Sequence, residues 1–357
     1  MQFKLIYMLL LCKICTAQVY FNNRYDTFGS CDGAAVIDTF DNRYFTAGFT
    51  CTSVSYYALN LRLYNIDGTV SKNRTYQWQG NNFINGKGFT KNSNRYLLSG
   101  ARFYHNDTSL VFQWIFDANL DSVKYIEYGY LNQGNVIFDI VDYQHENYFM
   151  AGQVYDNQFN SDVLLIKTDT SGNEIWKKKI GLPNYDETAW CIKTSSDGKL
   201  LISGNRRLHN NQSTNGAFVI KADTSGAIIW EKYFPSNYGL AATGMVELGN
   251  GDIVALAGKG FGSTISRYEL IKLDATGNIL FDKVYGPMAD RAEAYSLIQN
   301  QEGNLVAAGQ IYYSANNSVN GLMYVFNQNG DSLFSREYAV QSGSQNYFRD
   351  LVQAPDK

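Results

Sequence analysis

The sequence predicts an all-β fold, a β-propeller of four-stranded antiparallel blades with six recognisable units and an incomplete seventh. Three observations carry the prediction: a layout that recurs roughly every fifty residues, a composition suited to pleated sheet, and turn signals that join each strand to an antiparallel neighbour. The clearest copy runs from Leu164 to Gly204, LLIKTDTSGNEIWKKKIGLPNYDETAWCIKTSSDGKLLISG. FVIKADTSGAIIWEKYFP (Phe218 to Pro235) and ELIKLDATGNILFDKVYG (Glu269 to Gly286) repeat its first half, and GDIVALAG (Gly251 to Gly258) and GNLVAAG (Gly303 to Gly309) repeat its end. In composition, 27 Tyr and 21 Phe against only 4 Pro favour strands, while 31 Gly supply turns. No segment keeps a helical period over ten or so residues.

The chain opens like an export signal over residues 1–17, ahead of one repeat domain over 18–357. Lys4 precedes the apolar run Leu5 to Cys12, and Cys15-Thr16-Ala17 offers small residues at a cleavage point before Gln18. Eight apolar residues are too few to span a bilayer. A lipid anchor is not indicated, because Cys12 and Cys15 follow the bulky Leu11 and Ile14. Val19 to Tyr25 then resembles the last strand of a unit.

Unit one gives AAVIDTFDNRYFTAG (Ala34 to Gly48) and YALNLRLYNIDG (Tyr57 to Gly68). Its first hairpin turns at Asp41-Asn42, so Phe40 faces Arg43, and Cys31 and Cys51 fall opposite each other within one register step. In an oxidising compartment a disulfide would fit there; two unpaired thiols near a strand end fit equally. Unit two (RYLLSG to Gly100, then Val111 to Asp121) is the most degraded copy, and unit three ends its second strand at Gly152. In unit four the strands are Ala189 to Thr194, Leu200 to Gly204, Ala217 to Ala222 and Ala227 to Phe234. Cys191 falls in an apolar run and is expected in the core.

The glycine closing each second strand recurs at 48, 100, 152, 204, 258 and 309, with spacings of 52, 52, 52, 54 and 51. An Asp-x-x-Gly turn keeps the same period at Asp169-Gly172, Asp223-Gly226 and Asp274-Gly277, softened to Asn65-Gly68 and Asn327-Gly330. Trp176, Trp230, Phe281 and Phe334 stand four residues after the turn glycine, where a large ring would pack blade on blade. Asn346 to Lys357 aligns with the first strand of a seventh unit and breaks off at its turn, so a truncated chain is expected.

The pattern I-K-x-D-x-x-G-x-x-x-W-x-K, an acidic pair, a first strand, D-G and L-x-x-x-G resembles the secreted propeller repeats of Bacteroidota-type bacteria. The resemblance covers Ala34 to Lys357 and is strongest between Leu164 and Gly309. It implies export, often by type IX secretion, and a binding or surface role rather than a reaction.

No catalytic or cofactor motif stands out. His105, His145 and His209 occupy different places in their units and show no zinc spacing, so no metal site or cofactor is expected. Each Asp-x-x-Gly turn offers one carboxylate where calcium takes six to eight oxygens, and Asx capping accounts for the aspartates. A net charge of -3 gives no basic footprint for nucleic acid. The candidate site residues are the acidic Asp186, Glu187, Asp290 and Glu293, read as lying in loops between blades, and Tyr104, His105, Tyr155, Arg206, Arg207 and Tyr312 in the long second-to-third-strand loops of the same face. Such a face on a rigid scaffold fits a monomeric, secreted or surface-displayed module that binds a glycan or protein. The alternative is a polysaccharide-active hydrolase or lyase with its acids on that face.

Overall fold

The computed structural model describes residues 32–40, 43–53, 56–77, 82–83, 89–92, 95–104, 108–209, 211–236, 239–261, 265–287, 291–339 and 347–353. The chain divides into two compact units with the boundary after residue 79. In the first, β1 (Asp32–Phe40), β2 (Arg43–Ser53), β3 (Tyr56–Asn65) and β4 (Val70–Gln77) form one antiparallel meander. Phe40 faces Arg43 as expected, and a bulge between Ala34 and Val36 then shifts the register so that Asp32 faces Thr50. Phe45, Leu59, Leu61 and Leu63 form its buried interior. Cys31 and the Cys51 side chain lie outside the described residues, and so do the signal-like start and Val19 to Tyr25.

The second unit repeats the meander. β5 (Asn82–Phe83) and β6 (Phe89–Asn92) both pair with β7 (Arg95–Phe103), followed by β8 (Ser109–Asp117) and β9 (Ser122–Tyr128). The most degraded repeat is thus the one whose first strand is broken in two. β10 (Gly134–Tyr143) to β13 (Glu174–Ile180), through β11 (Asn147–Tyr155) and β12 (Ser161–Asp169), form the next sheet. β14 (Tyr185–Thr194), β15 (Leu200–Leu208), β16 (Gly216–Ala222) and β17 (Ile228–Phe234) form another. Two further meanders, β18 (Leu240–Glu247), β19 (Ile253–Gly260), β20 (Ser266–Leu273), β21 (Ile279–Tyr285) and β22 (Arg291–Gln299), β23 (Leu305–Tyr313), β24 (Ser318–Phe326), β25 (Ser332–Tyr338), merge through the single parallel pair Ser266 and Arg291. Among the described residues no helix is long and apolar enough to cross a membrane.

Within the second unit, each first strand from β10 onward packs against the sheet before it, β14 against β10 to β12 and β22 against β18 to β20. This stacking of meanders through their first strands is the β-propeller architecture. Polar pins fix the junctions: the Ile192 N–H donates to Asp139 Oδ2 (2.9 Å), the Ser203 hydroxyl to the Ala242 carbonyl (3.0 Å), and the Thr243 hydroxyl to the Ala294 carbonyl (2.8 Å). Residues 347–353 form no strand and pack on the last sheet, the Leu351 N–H donating to Ser296 Oγ (3.2 Å) and the Phe348 N–H to the Gly309 carbonyl (3.2 Å). Cys191 is fully buried, as expected.

Register corrects one landmark. Leu200 pairs with Ala222 just before the Asp223 turn, and Ile253 pairs with Leu273 just before the Asp274 turn, so the place of Gly204 falls to Ala257, not Gly258. The reason is steric. A Cβ on Gly152, Gly204 or Gly309 would lie 1.9 to 2.0 Å from a first-strand carbonyl oxygen, which the bulge of that strand pushes over it. Between Leu240 and Gly244 the first strand slips further, and a side chain is accommodated beside it.

The aromatic landmarks do pack blade on blade, but at the rim. A Cβ on Gly226 would meet Trp176 at 3.2 Å, one on Gly277 would meet Trp230 at 2.9 Å, and one on Gly330 would meet Phe281 at 2.8 Å. Each ring therefore rests on the turn glycine of the following meander, and the glycine serves both the left-handed turn and the contact. Phe334, the last of the set, is 52% exposed.

Candidate functional site

The first correction concerns where the acids lie. β14 begins at Tyr185 rather than Ala189, so Asp186 and Glu187 belong to the strand, and β15 continues through Arg206 and Arg207. The pairing explains the extension: Glu187 stands directly opposite Arg206, and Asp186 opposite Arg207. Opposite charges facing across a ladder stabilise it beyond its apolar stretch. Glu293 likewise lies within β22 rather than in a loop, facing Gln310. Tyr155 closes β11, Tyr312 is the last but one residue of β23, and Tyr104 follows β7 directly. Asp290 and His105 lie outside the described residues.

Arg206 is the centre of the cluster. Its Nε donates to Glu187 Oε1 at 2.6 Å, its Nη2 bonds Glu231 of β17, and its guanidinium lies 5.5 Å from the ring centre of Tyr233 and 5.9 Å from those of Tyr185 and Phe218. Glu187 is 1% exposed and Arg206 7%. Burial raises the Glu187 carboxyl pKa; the Leu182 N–H and the Arg206 charge pull against that shift without cancelling it. Asp186 spends both oxygens, Oδ2 accepting from Arg207 Nε (3.1 Å) and Oδ1 bonding His209 Nδ1 (2.7 Å) and the Ser161 N–H (3.2 Å).

Glu187 also has a counterpart without charge. Asn135 holds the same place in its hairpin, two residues before the one that faces the conserved glycine. Its Oδ1 accepts the N–H of Tyr130, five residues upstream, just as Glu187 Oε2 accepts that of Leu182. In both hairpins a buried polar side chain ties down the loop entering the first strand. Gly181 completes this loop, since a Cβ there would lie 2.0 Å from Asp162 Oδ1 and 2.8 Å from Glu187 Oε2.

Above the cluster opens a cleft of about 340 Å³, lined among others by Asp156, Asn160, Asp162, Lys179, Tyr185 and His209. Its walls are the loops between β11 and β12, β13 and β14, and β15 and β16, so inter-blade and second-to-third-strand loops share one end, as the sequence predicted. Burial acts to raise the Asp156 carboxyl, but donors from Asn160 and Gln158 and the nearby His209 together outweigh it and hold the carboxyl below the usual range. Tyr185 is shared with a second, wider cleft of about 520 Å³ that also touches Tyr233 and Lys259. There Lys259 Nζ bonds Glu269 Oε1 at 2.8 Å, and burial pushes the Glu269 carboxyl up to about 7 against the pull of that lysine.

The predicted residues therefore separate into clusters. Asp186, Glu187, Arg206 and Arg207 come together, joined by His209. Tyr104 donates to Glu127 (2.7 Å) beside Arg102 and Tyr125; Glu293 bonds Arg291, Tyr295 and Gln310; Tyr312 donates to Asn317 (3.0 Å). Tyr155 stacks on Phe159, with ring centroids 5.8 Å apart and an interplanar angle of 20°. Asp162, Glu231, Tyr233 and Phe159 escaped the sequence reading, because they sit in strands and turns whose repeat pattern marks them as scaffold. No group of three or more His, Cys, Asp or Glu side chains suited to a metal occurs among the described residues.

No protein-family model and no curated protein matches the sequence. Among solved structures, a puromycin hydrolase is 8% identical with a TM-score of 0.53, over 87% of this chain and 47% of that one. The β-propeller domain of the Trilobed protease from Pyrococcus furiosus is 10% identical with a TM-score of 0.46, over 88% of this chain and 100% of that one. An exo-β-1,3-galactanase from Phanerochaete chrysosporium is 14% identical with a TM-score of 0.47, over 76% of this chain and 68% of that one. Likeness at these identities speaks to fold alone, and the meanders themselves place the chain among the β-propellers.

Proposed function

We propose that the chain is an exported, non-enzymatic binding module that presents the loops at one end of its blades to a glycan or protein outside the cell. One observation carries the reading: the cluster of Asp186, Glu187, Arg206 and Arg207 on the loop end is spent within the molecule. Glycoside hydrolysis needs one carboxyl free to give a proton and another free to face the sugar or a water. Glu187 is 1% exposed and held by Arg206 and Leu182, and both Asp186 oxygens are bonded. What remains open in the cleft is an array of amide, hydroxyl and offset charged groups, suited to hydrogen-bonding a ligand in place. Export, and a secreted or cell-surface location through a route such as type IX secretion, follow from the signal-like start and the repeat resemblance.

The hydrolase alternative keeps one foothold, since Asp162 and Glu187 flank the same glycine and Glu187 has a raised pKa. A single assay separates the two. The full chain is incubated with a panel of soluble polysaccharides, and affinity electrophoresis is run beside a reducing-end and unsaturated-product assay. Retarded migration with no new ends is the expected result; turnover of any polysaccharide overturns the non-enzymatic reading.

A further inference from the structure

One turn of the cleft wall carries a bulky residue where most turns of its kind carry glycine. Asp156 to Asn160 copies the Asp169 to Asn173 turn bond for bond. In each, the aspartate N–H donates to the asparagine carbonyl, its Oδ1 accepts two backbone N–H groups, and its Oδ2 accepts the asparagine amide. The fourth place has left-handed backbone in both, and there Gly172 (φ 80°) is replaced by Phe159 (φ 64°). A bulky residue is disfavoured in that conformation. Leu120 also occupies it (φ 64°) in the Asp117 to Asp121 turn, but that side chain is fully buried, so packing offsets the strain. Phe159 is 59% exposed, and Tyr155 stacks on it.

We propose that Phe159, backed by Tyr155, is the stacking platform for a neutral pyranose ring of a glycan seated in the adjoining cleft. This deepens the binding-module reading and rests on it. A pyranose presents an apolar C–H face and a rim of hydroxyls. An exposed aromatic face takes the first, and convergent polar groups take the second. Phe159 itself lies outside the lining of the cleft, but its turn partners Asp156 and Asn160 belong to that lining, so the ring adjoins the cleft through its own turn. Asp156 and Asp162 there face the single lysine Lys179 of the lining, a charge pattern that disfavours a polyanion and suits an uncharged sugar.

The test uses the full chain, affinity electrophoresis on neutral glucans, galactans, mannans and xylans, and polygalacturonate as the anionic control. Wild type is expected to be retarded by at least one neutral polysaccharide. Phe159→Ala and Phe159→Gly are expected to weaken that binding about tenfold or more, tenfold being about 1.4 kcal/mol. Phe159→Gly is also expected to raise the thermal midpoint, because glycine is unstrained in this turn. A ring kept for stability alone would instead lower it. Wild-type binding that survives both substitutions refutes the platform and leaves the binding module standing. No retardation by any neutral polysaccharide, or retardation by polygalacturonate alone, refutes the sugar class, and a protein ligand then remains for the module.

Discussion

Arg206→Met tests whether the cluster on β14 and β15 is a buried ion network. Methionine keeps much of the arginine stem's volume among Tyr185, Phe218 and Tyr233, so the cavity contribution is small. The electrostatic loss is not: Glu187, 1% exposed, keeps the Leu182 N–H and loses the one cation that bonds it among the described residues, whereas the Glu231 side chain is 24% exposed and falls back on water. Removing one partner of a buried pair costs about 3–5 kcal/mol. Glu187→Gln leaves Arg206 with Glu231 and an amide oxygen to accept its Nε, so about 1–2 kcal/mol is expected. In the double variant the stranded charge is gone, and the losses should fall short of additive by about 2 kcal/mol. The pH dependence fixes the sign. Burial already raises the Glu187 pKa in the folded state, and without Arg206 it rises further. A carboxyl raised on folding is tolerated below its unfolded pKa and costs stability as pH climbs through its folded one, so the Arg206→Met deficit should shrink from pH 7.5 toward pH 5, as the solution approaches the ordinary glutamate value of roughly 4.3 from above. Urea titrations followed by tryptophan fluorescence read the quantity. A loss under about 1 kcal/mol, the worth of an exposed pair, or a deficit indifferent to pH, would refute the reasoning.

Two further substitutions probe the repeat itself and the neighbouring cleft. Gly204→Ala should cost about 3 kcal/mol, since its Cβ would sit 1.9 Å from the Thr188 carbonyl oxygen, whereas the equivalent Ala257→Gly should cost about 0.5–1 kcal/mol from chain entropy and lost contact. Equal costs in paired urea titrations would show that the register equivalence is wrong. For Glu269, raised from the ordinary 4.5 to about 7, the folded state binds the proton more tightly than the unfolded, so stability should fall as pH rises between those values. Glu269→Gln should flatten that slope in denaturation midpoints taken at pH 5 and pH 8, and an unchanged slope would assign it to another group.

The repeat made the fold legible. Its period, its Asp-x-x-Gly turns and its short apolar runs each follow from local chemistry that any window of the chain displays. Strand ends were misjudged because apolar runs stop where charge pairing takes over: nothing in Tyr185-Asp186-Glu187-Thr188 reads as strand until Arg206 and Arg207 stand opposite. The glycine landmark failed at one place for a similar reason. Gly258 matches the pattern in sequence, but the slip between Leu240 and Gly244 is a property of the partner strand and is invisible from the second strand alone. Of the site, the sequence located the charged quartet but not its roles, because neutralisation by Glu231 and His209 is a relation between strands and loops far apart in the chain.

Aligning positions by register, rather than by motif, separates inherited structure from local novelty. The place of Glu187 is taken by Asn135 in one hairpin and by Ala292 in another. Asn135 shows that a buried polar group there has a structural task, holding the incoming loop by the N–H five residues back. Glu187 performs the same task at Leu182, and its charge is answered by Arg206. Nothing about that position then calls for catalysis to explain it. Phe159 fails the corresponding comparison: its turn needs only a residue tolerant of left-handed backbone, glycine serves elsewhere, and the exposed ring adds strain without the burial that compensates Leu120. A departure that the scaffold does not use is where a ligand is most economically sought, and on the described loop end that departure is aromatic rather than acidic.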